Sequence, residues 1–211
     1  MFVRTTATTE RCPIQGSLLT MGEPGVPVSV GPLRRIDLDH GAWIDHAPGW
    51  LPGADAWFDR LVSGLTWQHA RRPMYDRVVD VPRLIWSHDQ PDLGPTELQV
   101  VEHLRAVASK LADHYRRPLP RLHANFYRDG DDSVAWHPDS VDCPSDALVA
   151  IVSLGAARTF AVRPLGGGST HRFQLGRGDL LVMGGTTQQY YEHGVPKVAM
   201  AAPRISVMFR S

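Results

Sequence analysis

The strongest constraint on the fold is a change of rhythm at about residue 121. From there the chain is a series of short β-like runs: RLHANFYRD, SVAWHPD, ALVAIVSLG, RTFAVRPL, THRFQLG, GDLLVMGG and PRISVMFRS. Gly, Pro and Asp punctuate them at roughly regular intervals. Many short strands bounded by turn residues point to an antiparallel sandwich or jelly roll.

The first half reads differently. ADAWFDRLVSGL (54–65) places Trp57, Phe58, Leu61, Val62 and Leu65 at helical spacing. PTELQVVEHLRAVASKLADHY (95–115) opens on Pro95 and Thr96 and carries Leu98, Val101, Leu104, Val107, Ala108 and Leu111 on one stripe. The Thr-rich residues 1–13 read as a flexible arm. Residues 14–32 read as a strand or an arm with turns, 34–53 as a strand followed by a Pro/Gly loop, and 66–89 as strands with a long loop. The expected fold is mainly β with α: a double-stranded β-helix (jelly roll) core in a single domain over 14–211, with both helices packed outside.

The 211 residues suffice for one full hydrophobic core. Formal net charge is zero, which argues against a dedicated non-specific DNA binder but leaves room for a local basic patch. Cys12 and Cys143 are far apart with no CxxC partner, so neither a zinc site nor a disulfide framework is expected. A reducing cytoplasm is the default compartment. No apolar run approaches a membrane span, and no signal peptide is evident. A monomer without an obligate protein partner is the default.

His137-Pro138-Asp139, read with His193, is the ligand pattern of a 2-His-1-carboxylate iron site. Residues two apart on a strand point the same way, so His137 and Asp139 could face one ion. In a chain with ten histidines a His-x-Asp also arises by chance. The remaining histidines, His123 among them, lack a matching carboxylate and read as surface or core residues.

PRISVMFRS alternates in period two, with Arg204, Ser206, Met208 and Arg210 on one face and Ile205, Val207 and Phe209 on the other. Two arginines on a buried face are costly unless anions meet them, and a dicarboxylate cosubstrate would do so. The competing reading is an edge strand with a solvated basic face.

The blocks RLHANFYRDGDDSVAWHPDS, IVSLGAARTFAVRP, GDLLVMGGTTQQYYEHGVPK and PRISVMFRS, in that order, resemble the AlkB family of iron(II)- and 2-oxoglutarate-dependent dioxygenases. The similarity is to the branch that includes the animal alkylation-repair homologues. It covers about residues 121–211 and extends more weakly over 66–86. The resemblance implies His137, Asp139 and His193 as iron ligands. It implies Asn125, Tyr127, Arg204 and Arg210 as 2-oxoglutarate contacts, with Ser206 where the family usually has Asn. The implied activity is oxidative demethylation of N-alkylated bases in DNA or RNA. The alternative is a 2-oxoglutarate-dependent enzyme acting on a protein side chain or a small molecule.

The resemblance makes 66–89 a nucleotide-recognition lid. This segment interleaves Arg71, Arg72, Arg77 and Arg83 with Met74 and Tyr75, as phosphate-plus-base contacts would. Arg72, Met74, Tyr75, Arg77 and Trp67 are therefore candidate substrate contacts, and Arg158, on the resembling block GAARTF, is a further one that either contacts the substrate or braces the site. Trp136 precedes a metal ligand and reads as a core aromatic facing the other way. Family members that repair charged bases often carry an acid shortly after the metal Asp. Here the fourth position from His137 is Val141, with Asp142 next.

Overall fold

The computed structural model describes residues 24–74, 77–89, 92–139 and 146–211, with the side chains of 72–74 and 77–78 excepted. The expected arm at 1–13 lies outside these residues. In chain order the elements are β1 (Arg34–Asp37), β2 (Ala42–Ala47), α1 (Ala54–Gly64), β3 (Gln68–Met74), β4 (Arg77–Ser87) and α2 (Pro95–Tyr115). They continue as β5 (Arg121–Tyr127), β6 (Val134–His137), β7 (Val149–Gly155), β8 (Arg158–Pro164), β9 (His171–Leu175) and β10 (Asp179–Gly185). Last come the short helix α3 (Thr187–Tyr190), β11 (Tyr191–Val195) and β12 (Arg204–Arg210).

Two antiparallel sheets face each other. The major sheet runs β1-β2-β10-β7-β12-β5-β4-β3 and the minor sheet β6-β11-β8-β9. This is the jelly-roll arrangement that the run of short strands predicts. The period-two alternation divides the side chains between two cores. Ile205, Val207 and Phe209 of β12 join Leu180 and Val182 of β10 against the helices, with Trp57, Leu61, Val101, Leu104 and Leu111. Met208, Leu181 and Met183 face the other way, into the space between the sheets with Phe160, Val162, Phe173 and Leu175. Truncating any of these buried side chains to Ala would cost about 2–5 kcal/mol.

Both helices form where the spacing places them. Pro95 opens α2 behind Gly94 as N-cap, and Arg116 closes it in the left-handed region at φ 52°. The stripe of α2 is buried as expected from Val101 to Leu111 and differs only in its first turns, where Leu98 is 49% exposed while Glu97 and Val100 are buried. The reason is polar. The Glu97 carboxylate accepts the Thr66 N–H (2.8 Å), the Thr66 hydroxyl (3.1 Å) and the Trp86 indole N–H (2.9 Å).

Three further expectations change. Residues 34–53 form a β1–β2 hairpin rather than one strand, because His40 (φ 62°) and Gly41 (φ 77°) adopt the left-handed conformation that reverses the chain. Residues 24–32, the described part of 14–32, form no strand. The segment 66–89 is ordered mainly as the β3–β4 hairpin, whose backbone pairing runs from Gln68↔Ile85 to Met74↔Arg77. Among the described residues no helix is long and apolar enough to cross a membrane.

Candidate metal and cosubstrate site

His137 ends β6 and lies directly opposite His193 on β11 in the minor sheet. A register shift between His193 and Val195 marks a bulge, a common device for re-aiming a side chain. Gly194 makes the close approach possible, since a Cβ there would sit 2.9 Å from the Val134 carbonyl oxygen. The imidazole rings of His137 and His193 are 4.5 Å apart, and His193 Nε2 is 4.0 Å from Asp139 Oδ1. One ligand atom from each of His137, Asp139 and His193 lies within 4.8 Å of the others.

The surroundings favour ligand-ready protonation states. His137 Nδ1 lies 2.9 Å from the Ala135 carbonyl, which holds a proton on that nitrogen and leaves the Nε2 lone pair free. Burial pushes His193 down to about 4; Asp139 opposes the shift, while His137 and Arg210 add to it. The imidazole of His193 is therefore neutral at physiological pH. Phe160 stacks on it at 5.4 Å. The Asp139 N–H donates to Gln188 Oε1 (3.2 Å), and Asp139 Oδ1 accepts from Arg210 Nη2 (2.7 Å). Among the described residues Asp139 Oδ2 is buried without a partner. Two imidazole nitrogens and an orphaned carboxylate oxygen form a donor set that fits iron(II) and leaves further coordination positions open.

The arginine strand is no edge. β12 lies between β5 and β7 in the middle of the major sheet. Arg204, Ser206, Met208 and Arg210 border a cavity of about 200 Å³ that His137, His193, Asn125 and Tyr127 also line. Register sets Arg204 opposite Tyr127 and Ser206 opposite Asn125. Arg204 is 1% exposed, and burial lowers its guanidinium below the ordinary value. Its Nη2 donates to the Ser153 hydroxyl (2.6 Å), and the Tyr127 ring lies 5.0 Å from its guanidinium carbon. Among the described residues its Nε and Nη1 lack a partner in good hydrogen-bonding geometry, as does Arg210 Nε, and the Tyr127 side chain is the neighbour that offsets part of the cost of burial. A buried guanidinium with donors to spare is costly until an anion meets it, and a carboxylate matches its fork.

The proposed substrate contacts divide differently. Trp67 is off the cavity: its indole N–H donates to the Leu61 carbonyl (3.3 Å), and its ring packs 5.2 Å from Phe126. Arg158 is 2% exposed and spends its N–H groups on backbone carbonyls, so burial removes it from substrate contact. Arg72 and Met74 fall on β3 and Arg77 on β4, with side chains outside the description. Tyr75, Val141 and Asp142 lie outside the described residues altogether. Trp136 is half-buried rather than core, with the Arg163 guanidinium 4.0 Å over its ring.

Two cavity residues went unassigned in the sequence. Arg83 lines the cavity and donates from Nε to Asn125 Oδ1 (3.0 Å). His123, expected at the surface or in the core, also lines it, and its Nδ1 is buried with no partner among the described residues. Burial and the neighbouring Arg210 hold its imidazole below the ordinary value. Period-two counting back from Tyr127 through Asn125 to His123, and from Ser87 through Ile85 to Arg83, would have found both.

Comparison with known proteins agrees with this geometry. The pattern of the 2OG-Fe(II) oxygenase superfamily matches residues 54–210. The mouse protein named alpha-ketoglutarate-dependent dioxygenase alkB homolog 3 is 31% identical over 184 residues, covering 76% of this chain and 62% of that protein. The human protein of the same name is 29% identical over 178 residues, covering 75% of this chain and 61% of its own length. The chain thus spans somewhat over three fifths of these relatives. An Arabidopsis thaliana protein named DNA oxidative demethylase ALKBH2 is 28% identical over 226 residues, covering 84% of this chain and 68% of that protein. The crystal structure of an oxidoreductase of the 2OG-Fe(II) oxygenase family from Burkholderia pseudomallei shares the fold. Its TM-score is 0.58 at 18% identity, over 80% of this chain and 84% of that one. The chain belongs to the 2OG-Fe(II) oxygenase superfamily, and its likeness within that superfamily is to the AlkB homologues.

Proposed function

We propose that this chain is an iron(II)- and 2-oxoglutarate-dependent dioxygenase that removes methyl groups from ring nitrogens of DNA or RNA bases. The proposed bases are of the 1-methyladenine or 3-methylcytosine type, and the products are the repaired base, formaldehyde, succinate and carbon dioxide. The observation that carries this reading is the buried, under-partnered Arg204 on the same cavity as His137 and His193.

His137, Asp139 and His193 would hold the iron, which with 2-oxoglutarate and oxygen supplies the oxidant for the methyl carbon. The chain's own side chains bind and orient. Arg204 anchors the distal carboxylate of the cosubstrate, with Tyr127, Asn125 and Ser206 beside it. Arg210 holds Asp139 and faces the carboxylate nearer the metal. Val149, Ile151, Phe160 and Met208 make the remaining wall apolar, which keeps water from the reacting centre. A methylated base must leave its stack to reach such a pocket. β4 supports that route, because its Arg83 and Ile85 line the cavity and the hairpin it forms with β3 carries Arg71, Arg72 and Arg77.

The test is formaldehyde release from a single-stranded oligonucleotide carrying 1-methyladenine or 3-methylcytosine. Release that requires both iron(II) and 2-oxoglutarate is expected. Cosubstrate consumption stimulated only by peptides or small molecules would replace this reading with the alternative substrate class.

A further inference from the structure

We infer that Arg158 is a positioning residue for the metal centre: its guanidinium clasps the entry to β6 and the exit from β11, the two strands that carry the histidine ligands. The inference rests on the assignment of His137, Asp139 and His193 as those ligands.

Strand pairing alone is a weak device for placing His137 opposite His193. β6 has four residues, lies at the edge of the minor sheet, and pairs with β11 only at His137↔His193 and Val134↔Val195, with an irregularity between them. Short edge strands with one neighbour and a bulge are prone to slip. A slip of one residue would turn His137 to the other face of the sheet.

The two strands are antiparallel, so the start of β6 lies beside the end of β11. Arg158, first residue of β8, closes that end. Nη1 donates to the Asp129 carbonyl (2.8 Å) and Nη2 to the Asp132 carbonyl (3.0 Å), both in the turn that feeds β6. Nη2 also donates to the carbonyl of Pro196 (2.8 Å), the residue directly after β11. The feeding turn is itself stiff: the Arg128 guanidinium forks onto the Asp132 carboxylate with two 2.8 Å bonds. Tyr127, which faces Arg204, lies 5.8 Å from the Arg158 guanidinium carbon.

The energetics argue for a specific task. Arg158 is buried and hydrogen-bonds three carbonyls; the nearby Asp132 carboxylate feels its charge but gives its hydrogen bonds to Arg128, and among the described residues the Arg158 Nε has no partner. Carbonyl dipoles compensate a buried cation only in part, so an apolar residue would be the cheaper filler at this position. What a planar fork adds is geometry: several donors in fixed directions that tie two strands at once. A lysine ammonium is a point charge and cannot span the same three acceptors.

The test compares wild type, Arg158→Lys and Arg158→Met by Co(II) calorimetry, the Co(II) absorption spectrum and thermal unfolding without metal. Both variants should weaken Co(II) binding about 10–100-fold and alter the Co(II) spectrum, the loss typical when residues behind the ligands are changed. A folded Lys variant with unchanged Co(II) affinity and spectrum, whatever its unfolding temperature, would overturn the clasp. So would a loss confined to oligonucleotide binding. Hydrogen exchange on wild type reads the same idea without any variant. Co(II) should slow exchange at 129–133 together with β6 and β11, and protection confined to the ligands' own strands would count against the inference. If wild type takes up no Co(II) at all, the ligand assignment fails and the clasp with it.

Discussion

Two walls of one cavity follow different rules. The wall made by β12 and β5 lies in the middle of the major sheet and presents Arg204, Ser206, Asn125 and Tyr127 in fixed register. The wall made by β4 belongs to a hairpin at the sheet's edge, where β3 has a neighbour on one side only. The first wall is over-determined: each strand is paired on both sides, and its outward residues fill the helix-side core. The second is held at its root. Thr66 precedes β3, Trp86 lies near the end of β4, and both donate to the single buried carboxylate of Glu97. A central, doubly paired wall for the proposed cosubstrate beside an edge hairpin for the proposed substrate is the division of labour that binding sites on scaffolds tend to show.

The largest expected effects lie where the rigid wall meets the metal ligands, with Arg210 of β12 holding Asp139. Asp139→Ala removes the one carboxylate of the ligand set, and Co(II) titration together with turnover should both go to background. Retained turnover would break the metal assignment. Arg210→Ala leaves Asp139 Oδ1 without its cation and one end of the cosubstrate short of a donor. The 2-oxoglutarate Michaelis constant should rise about 10- to 100-fold, the loss expected when one member of a buried charged pair is truncated. An unchanged constant would remove Arg210 from the cosubstrate site.

At the edge hairpin the effects are smaller. Burial pushes the Glu97 carboxyl up, but the hydrogen bonds from Thr66, Trp86 and Gly94 outweigh it, and the net shift is below the ordinary carboxylate value. A depressed folded-state value means that the stabilisation is complete above the unfolded-state value and is lost as pH falls through the folded one. Glu97→Gln should therefore cost about 2 kcal/mol at neutral pH, as hydrogen bonds to a charged group do. The gap from wild type should close only as pH falls below the ordinary carboxylate range and through the depressed folded-state value, where the wild-type carboxyl is protonated as well. Urea unfolding across that range reads the difference, and a gap independent of pH would show that the charge of Glu97 is not what holds the hairpin. Weaker still is Arg72→Ala. Oligonucleotide affinity should fall a few-fold and the salt slope by about 0.7 for single-stranded DNA, with uncoupled 2-oxoglutarate turnover intact. A variant that binds as wild type does would place the phosphate path elsewhere.

The same contrast explains what could be read from the sequence. Spacing puts His137 with Asp139, and Arg204 with Arg210, on shared strand faces, and the ordered resemblance over 121–211 is what separates that from chance or a solvated edge. The two helices declare themselves through their apolar period. Glu97, Arg158 and Trp67 do not, because their roles lie in contacts with residues far along the chain. Glu97 meets Thr66 across 31 positions and Arg158 meets Pro196 across 38. An arginine on a β-run next to a site looks the same whether it faces a ligand or three carbonyls; only burial and partners separate the two. The resemblance to AlkB proteins names residues that touch iron or cosubstrate, and is silent on those that hold them in place.

The central claim is that Arg204 waits for the distal carboxylate of 2-oxoglutarate. Calorimetric titration of the Mn(II)-loaded protein with 2-oxoglutarate and with 2-oxobutyrate, which lacks that carboxylate, tests it in wild type and in Arg204→Met. Wild type should prefer 2-oxoglutarate by about 100-fold, the scale of a buried guanidinium–carboxylate pair, and Arg204→Met should bind both acids equally weakly. Equal affinity of the two acids for wild type, or an undiminished preference in the variant, would contradict the account.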